Sequence, residues 1–262
     1  MGVETMKPPG LEETHMHKIN EITKTRVDNL LKEIDFPSQY RDYVWKSDNW
    51  EDGFPDIFNL EKEIRTAARV GAITRNHLVA VAKWGGLPNV GRIKIHEPLR
   101  FMIFEDDKVA SWAKNFPENV IRVLEGQIQG FGPTYTSKLL RFAAPEIFGA
   151  IDTRIVRVFG KGVHGKNPNQ ILDLNATPID GRWAILSSQA AWPREYATWI
   201  VILTYICDKL NESRICCPHP RIFIDEGLRV EGKWLPADVE MALFYYASTI
   251  LSHRGGIMNG IY

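Results

Sequence analysis

Residues 118–160 read ENVIRVLEGQIQGFGPTYTSKLLRFAAPEIFGAIDTRIVRVFG, and the fold turns on how this stretch doubles back. The spacing predicts a helix from Pro117 to about Ile128, a tight turn at Gly130-Phe131-Gly132-Pro133, and a second helix from Thr134 to Ala143. Two glycines two apart let the backbone take positive φ and approach another group closely. The N–H groups of the turn and of the next helix start form an anion site suited to a phosphate, although Gly-x-Gly also serves as a plain helix connection. Eighteen residues after Thr134 comes Asp152, just where a third helix, Thr153 to Phe159, begins. An Asp there is a natural N-cap. The same position keeps the carboxylate ionised, so that it can also stabilise a developing cation or orient a water.

Working outward, helical periodicity dominates. Ile19, Ile22, Val27, Leu30, Leu31 and Ile34 recur at threes and fours. Pro55 to Trp84 reads as two helices, the first ended by Gly71 and the second capped by Thr74. Residues 92–96 alternate like a short strand, and Val109 to Lys114 reads as helix. A loop rich in Gly, Asn and Pro spans 160–181, with a further turn expected from Ile185 to Gln189. Trp192 opens a strongly apolar helix with Pro193 in its first turn. Arg221 to Trp234 suggests a short hairpin around Glu226-Gly227, and a last helix runs from Pro236 to about Ser252. Residues 1–15, with Pro8, Pro9 and Gly10, read as a flexible arm. The expected class is mainly α with a short strand or hairpin.

The chain has 262 residues, 44% apolar and 24% charged, with 32 basic and 32 acidic side chains, which fits a globular protein. Cys207, Cys216 and Cys217 are its only cysteines, too few for a disulfide scaffold and suited to a reducing cytoplasm. No run of 18 apolar residues and no signal pattern occur, so neither a membrane partner nor export is expected. Cys216-Cys217-Pro-His219 with Cys207 nearby suggests a metal only weakly, because adjacent cysteines do not chelate one tetrahedral ion easily. No metal and no cofactor is expected. Neutral net charge hides a basic stripe: from Gly130 to Lys166 stand Lys138, Arg141, Arg154, Arg157, Lys161 and Lys166 against Glu146 and Asp152. Such a stripe suits gripping of a nucleic-acid backbone.

Helix, Gly-x-Gly turn, helix, then Asp-Thr-Arg at a helix start some twenty residues on resembles the helix-hairpin-helix DNA glycosylases, the superfamily of endonuclease III and 8-oxoguanine glycosylase. The match covers about 40 residues, Leu124 to Phe159. The resemblance implies a two-lobed fold, with residues 107–183 as the hairpin-bearing catalytic lobe and 16–106 with 184–262 as a helical lobe built from both chain ends. It implies that Gly130, Phe131, Gly132 and Thr134, with Arg154 and Arg157, bind DNA. It implies that Asp152 is the carboxylate that stabilises the oxocarbenium-like sugar as the N-glycosidic bond breaks. The last helix resembles the 8-oxoguanine branch, in which a polar residue and a Phe four apart read and stack on the flipped base. Here these are Glu240 and Phe244. An ordinary amphipathic helix would show the same spacing. The Ser137-Lys138-Leu-Leu-Arg-Phe phrase is similar to a bacterial and archaeal group related to that branch.

Two positions depart from the pattern. Bifunctional relatives carry a nucleophilic lysine just after the hairpin, where this chain has Thr134. This points to a monofunctional enzyme that uses water, while Lys138, one turn further on, keeps a glycosylase/AP lyase open. Glu240 stands where Gln is usual, and a carboxylate only accepts hydrogen bonds. An oxidised guanine and a modified cytosine, including the hydroxymethyl or glucosylated cytosines of some phages, both remain open as the substrate. The setting is then repair or antiviral defence. The expected partner is double-stranded DNA containing a modified base, bound by a monomer in the cytoplasm, nucleoid-associated if bacterial. The main alternative from another class is a non-enzymatic, structure-specific DNA-binding module.

Overall fold

A computed structural model describes residues 18–95, 99, 103–162 and 167–255. The expected arm 1–15, His96 of the expected strand and Lys166 of the basic stripe lie outside them. Helices dominate. The first, α1 (Glu21–Glu33), is capped by the Asn20 side chain, which accepts from the Thr23 N–H. Asp35 caps α2 (Phe36–Arg41) in the same way. A hairpin of β1 (Val44–Trp45) and β2 (Asp48–Asn49) follows. The next two helices, α3 (Pro55–Arg69) and α4 (Arg75–Trp84), are the expected pair, with Gly71 at φ 65° after the first. At the start of the second, the Thr74 N–H donates to His77 Nδ1 at 2.9 Å.

The expected 92–96 strand is reduced to β3 (Lys94–Ile95). Next come the β4 (Phe104–Glu105) and β5 (Lys108–Val109) hairpin, α5 (Ser111–Asn115), α6 (Pro117–Gln127) and β6 (Ile128–Gln129), which pairs antiparallel with β3. The tight turn then leads into α7 (Gly132–Ala143) and α8 (Thr153–Phe159). Gly130 and Gly132 both have positive φ, 73° and 66°. They differ in surroundings: a Cβ on Gly130 would lie 2.6 Å from the Arg92 carbonyl oxygen, whereas one on Gly132 would meet nothing within 4 Å. The first glycine lets the β3 segment dock, and the second leaves the turn open to an outside group.

Three expectations are corrected. The helix placed over 109–114 starts later, because Asp106 and Asp107 at positive φ close the β4–β5 hairpin and put Val109 in a strand. The 160–181 loop contains β7 (Ala176–Ile179), paired with β8 (Arg182–Ile185) across Asp180-Gly181, and the turn expected from Ile185 follows the strand at residues 187–190. Both turn residues have positive φ, 48° and 75°, the two-residue geometry that suits a twisted hairpin. After the cis Trp192–Pro193 bond comes α9 (Arg194–Glu212), with Pro193 just before its first turn. The hairpin expected over 221–234 is instead α10 (Arg221–Asp225). Gly227 at φ 68° ends that helix, and the Leu228 and Arg229 N–H groups donate to the Phe223 carbonyl, so Glu226-Gly227 marks a helix C-terminus. The last helix is α11 (Pro236–Gly255).

In the core, α7 lies between α3 and α6, and α11 packs on α2, α8 and α9. Every residue of α7 from Thr136 to Ala143 is buried, Lys138 and Arg141 included. Buried charges require partners. Arg141 Nη1 stands 3.6 Å from Glu61 Oε2, Glu61 also pairs with Arg229, and Arg229 Nε donates to Asp238 Oδ1 at 3.0 Å. Burial alone would lower the Arg229 pKa, but Asp238 and Glu61 more than offset it and hold the guanidinium well above its usual value. This network ties α3, α7 and α11 together. Among the described residues no helix is long and apolar enough to cross a membrane.

Gly130→Ala is expected to lose about 3 kcal/mol in chemical denaturation, strain and clash combined, and Gly132→Ala about 1 kcal/mol, from strain alone. Equal losses would contradict the docking role assigned to Gly130.

Candidate active site

The segment 149–152 carries Asp152 to the start of α8 and is held by side chains of two other helices. The Ile151 N–H donates to Ser137 Oγ at 3.0 Å, Trp199 Nε1–H to the Ala150 carbonyl at 2.9 Å, and the Tyr196 hydroxyl to the Gly149 carbonyl at 3.3 Å. A Cβ on Gly149 would sit 2.3 Å from Leu203 Cδ1 and 3.0 Å from Glu240 Cβ, so α9 and α11 close directly over it. Asp152 divides its two oxygens. Oδ1 accepts the Arg154 N–H at 2.9 Å, the N-cap bond, and Oδ2 faces Lys138 Nζ at 3.1 Å. Cap and ion pair therefore coexist in one side chain. Burial pushes the Asp152 pKa up, but Lys138, the Arg154 N–H and the Arg154 cation together bring it below the usual value, so the carboxylate stays ionised at neutral pH.

Lys138 is walled by rings, with Nζ 5.6 Å from the centroid of Trp45, 5.3 Å from Trp84 and 5.7 Å from Tyr135. Three π faces around one ammonium offset part of its lost hydration. The tryptophans are fixed in turn: Trp45 Nε1–H donates to the Trp84 carbonyl at 2.8 Å and Trp84 Nε1–H to Asp48 Oδ2 at 2.7 Å. Asp48 is wholly buried, and its Oδ1 accepts the N–H groups of Asp56 and Ile57 at the start of α3.

Glu240 and Phe244 come to the same place. Glu240 is 6% exposed and lies close enough to Arg141, Lys138 and Asp152 for each to act on its charge. Its approach to Arg141, 3.9 Å, is too long for a hydrogen bond. Burial raises the Glu240 pKa to about 8 although Arg141 and Lys138 pull it down, so the group is mostly protonated at neutral pH. The expectation of an acceptor-only carboxylate is corrected accordingly: a neutral carboxyl offers one donor as well. The Phe244 ring packs against Tyr43 at 5.6 Å and edge-on to Trp45 at 5.8 Å, and the Arg154 guanidinium lies over it at 5.0 Å. Arg154 also lies 5.1 Å from the Trp45 centroid and donates to Ser248 Oγ at 3.3 Å. The cluster is closed, and a planar ring entering beside Phe244 must displace Arg154.

The remaining expected residues divide. Gly132 is exposed and Thr134 half-buried at the open side of the turn, whereas the Phe131 ring is buried against Tyr135 and leaves only its backbone to an outside group. Arg154 and Arg157 are half-buried on α8. Lys138 and Arg141 are interior, so the basic stripe is narrower than its sequence suggests. Trp45, Trp84, Tyr135 and Ser137 were not singled out as site residues from the sequence, because the first two lie 93 and 54 positions before Lys138 and nothing local marks them. Cys217, His219 and Asp238 do bring ligand atoms within 4.8 Å of one another. Their donors are committed, however. Both Asp238 oxygens accept from Arg229 Nε, and His219 Nε2 donates to the Lys233 carbonyl at 2.7 Å. A cation would also have to sit beside the buried Arg229. Cys207 Sγ instead donates to the Trp234 carbonyl at 3.0 Å.

Comparison with known proteins finds no family model, no curated protein and no solved structure that matches this chain. The residues themselves therefore carry the functional argument.

A raised acid pKa in the folded state means stability present below pH about 4.5 and lost as pH rises toward about 8, since only the unfolded chain ionises in that window. Glu240→Gln, which cannot ionise, should therefore gain on wild type by several kcal/mol between those limits, read from urea midpoints at successive pH values. A pH-independent difference would refute the protonated state.

Proposed function

We propose that the protein is a DNA glycosylase of the two-lobed helix-hairpin-helix type, acting as a monomer on double-stranded DNA. One observation carries the proposal: Asp152, Lys138, Glu240 and Phe244, drawn from three separate helices and named from sequence for one reaction, converge on a single closed, aromatic-walled cluster. The open Gly132 turn supplies backbone N–H groups for a phosphate, and Arg154 and Arg157 on α8 supply cations for its neighbours. A nucleotide held there by its backbone turns its base out of the stack toward Glu240 and Phe244, and the Arg154 guanidinium moves aside to a phosphate.

In the chemical step the C1′–N bond breaks, and its electron pair leaves with the base. The ionised Asp152 stabilises the cationic sugar and accepts a proton from the attacking water, whose oxygen bonds to C1′. That proton balances the departing base, and an abasic site remains. A neutral Glu240 presents one donor and one acceptor side by side, complementary to the N1–H and O6 of an oxidised guanine and to the N4–H and N3 of a modified cytosine. A second reading, glycosylase with AP lyase activity, is favoured by the 3.1 Å approach of Lys138 to Asp152. In that route Lys138 passes a proton to Asp152, and its amine bonds to C1′ as the C1′–N bond breaks. The base leaves with the electron pair and that proton, and opening of the sugar ring completes the Schiff base.

Base release from duplexes carrying 8-oxoguanine, hydroxymethylcytosine or glucosylated hydroxymethylcytosine tests the proposal. Asp152→Asn should cut release by at least about a hundredfold with affinity within about threefold of wild type. Strand breaks only after alkali identify the water route, and borohydride trapping that Lys138→Gln abolishes identifies the lysine route. Tight binding without release from any substrate would favour the non-enzymatic binding module.

A further inference from the structure

Beside the closed cluster stands an element that the proposed reaction does not use. The β7–β8 hairpin packs against α7 and α8, the helices that carry Lys138 and follow Asp152. Its outer part is apolar and exposed at once: Ile179 is 41% and Trp183 40% exposed, although large hydrophobic side chains gain most by burial. Trp183 is not loose, because the Arg157 guanidinium lies over its ring at 4.4 Å. Arg182 precedes it in the same strand and reaches toward the site, close enough to Tyr135 to pull down a phenol pKa that burial raises to about 12.

Charge along this edge is unbalanced. No carboxylate lies within ion-pairing distance of the side chains of Arg154, Arg157 or Arg182 among the described residues, while Lys161 nearby is neutralised by Asp173 at 2.8 Å. Burial and the neighbouring Arg154 cation both lower the Arg157 pKa, and Asp152 offsets only part of this. Arg154 and Arg157 on one face of the hairpin and Arg182 on the other, bordered by an exposed indole and an exposed Ile, suit a polyanion that also offers flat apolar faces.

Resting on the glycosylase reading of the neighbouring cluster, we propose that the β7–β8 hairpin is a second DNA-contacting surface, which grips the duplex where a nucleotide has left the stack. Arg182 and Arg157 take phosphates on either side of the vacated position. The Trp183 ring, stiffened from behind by Arg157, meets the base face that the departure exposes. Such a surface adds little on intact duplex, where no base face is free, and adds most where the stack is open.

The test uses the full chain and fluorescence anisotropy with two duplexes, one intact and one carrying a tetrahydrofuran abasic analogue. Wild type should prefer the abasic analogue. Trp183→Ala should weaken binding to it about tenfold and change the intact duplex by less than about twofold, with Trp183→Phe restoring most of the loss. Arg182→Gln should weaken both duplexes alike and lower the salt slope by about 1. If Trp183→Ala binds the abasic duplex as wild type does, the hairpin proposal is overturned while the glycosylase reading stands. If wild type itself does not distinguish the duplexes, or binds neither, the glycosylase reading fails and the hairpin proposal falls with it.

Discussion

The structure is organised around an ion pair held out of water. Lys138 and Asp152 meet at 3.1 Å with 6% and 13% of their side chains exposed. Neither charge would be tolerable alone at that depth, and their attraction offsets desolvation only while the geometry is kept. Keeping it requires α7 to present Lys138, the 149–152 segment to present Asp152, and a fixed distance between them. The Ser137 hydroxyl supplies that distance: it stands one residue before the lysine and takes the Ile151 N–H one residue before the aspartate. The rings of Trp45, Trp84 and Tyr135 supply the remaining wall.

A second buried charge network supports the first one turn further along the same face of α7. Arg141 lies on the same helix, one turn beyond Lys138, and joins Glu61 on α3, which joins Arg229 and through it Asp238 on α11. Glu240 lies two residues after Asp238, and Phe244 one turn further along the same helix. The orientation of α11, and with it the position of both site residues it carries, is thereby locked to the helix that carries the lysine. Polar groups in a packed interior specify one arrangement because any other leaves them unpaired. Here that specificity is applied to the site.

Much of this was legible from local signals. The α3–α4 junction followed from Gly71 and Thr74, and the turn before α7 from Gly130 and Gly132. Asp152 at the start of α8 followed from an acidic residue ahead of an apolar helical run. Each depends on backbone conformation or capping within a few residues, which side chains declare directly. The failures have a physical pattern as well. Glu226-Gly227 resembles a hairpin turn, but a glycine at positive φ serves equally as a helix terminator, and Arg229 was claimed by Glu61 on α3. The Asp180-Gly181 turn signal was present but lay inside a stretch whose glycines and asparagines read as loop.

The sequence by itself determined the helical class, the order of the main helices, and the chemical types gathered at the site: one carboxylate at a helix start, one lysine, one Glu–Phe pair four residues apart. These depend on short-range spacing, which the chain carries wherever it folds. Only the tertiary structure decided that Lys138 is interior and not on a solvated face, that Trp45 and Trp84 wall it, that burial raises the Glu240 pKa, and that Arg154 covers Phe244. Each of those depends on which distant segments exclude water from the same place. Burial is a property of the packed chain, and no run of residues states it in advance.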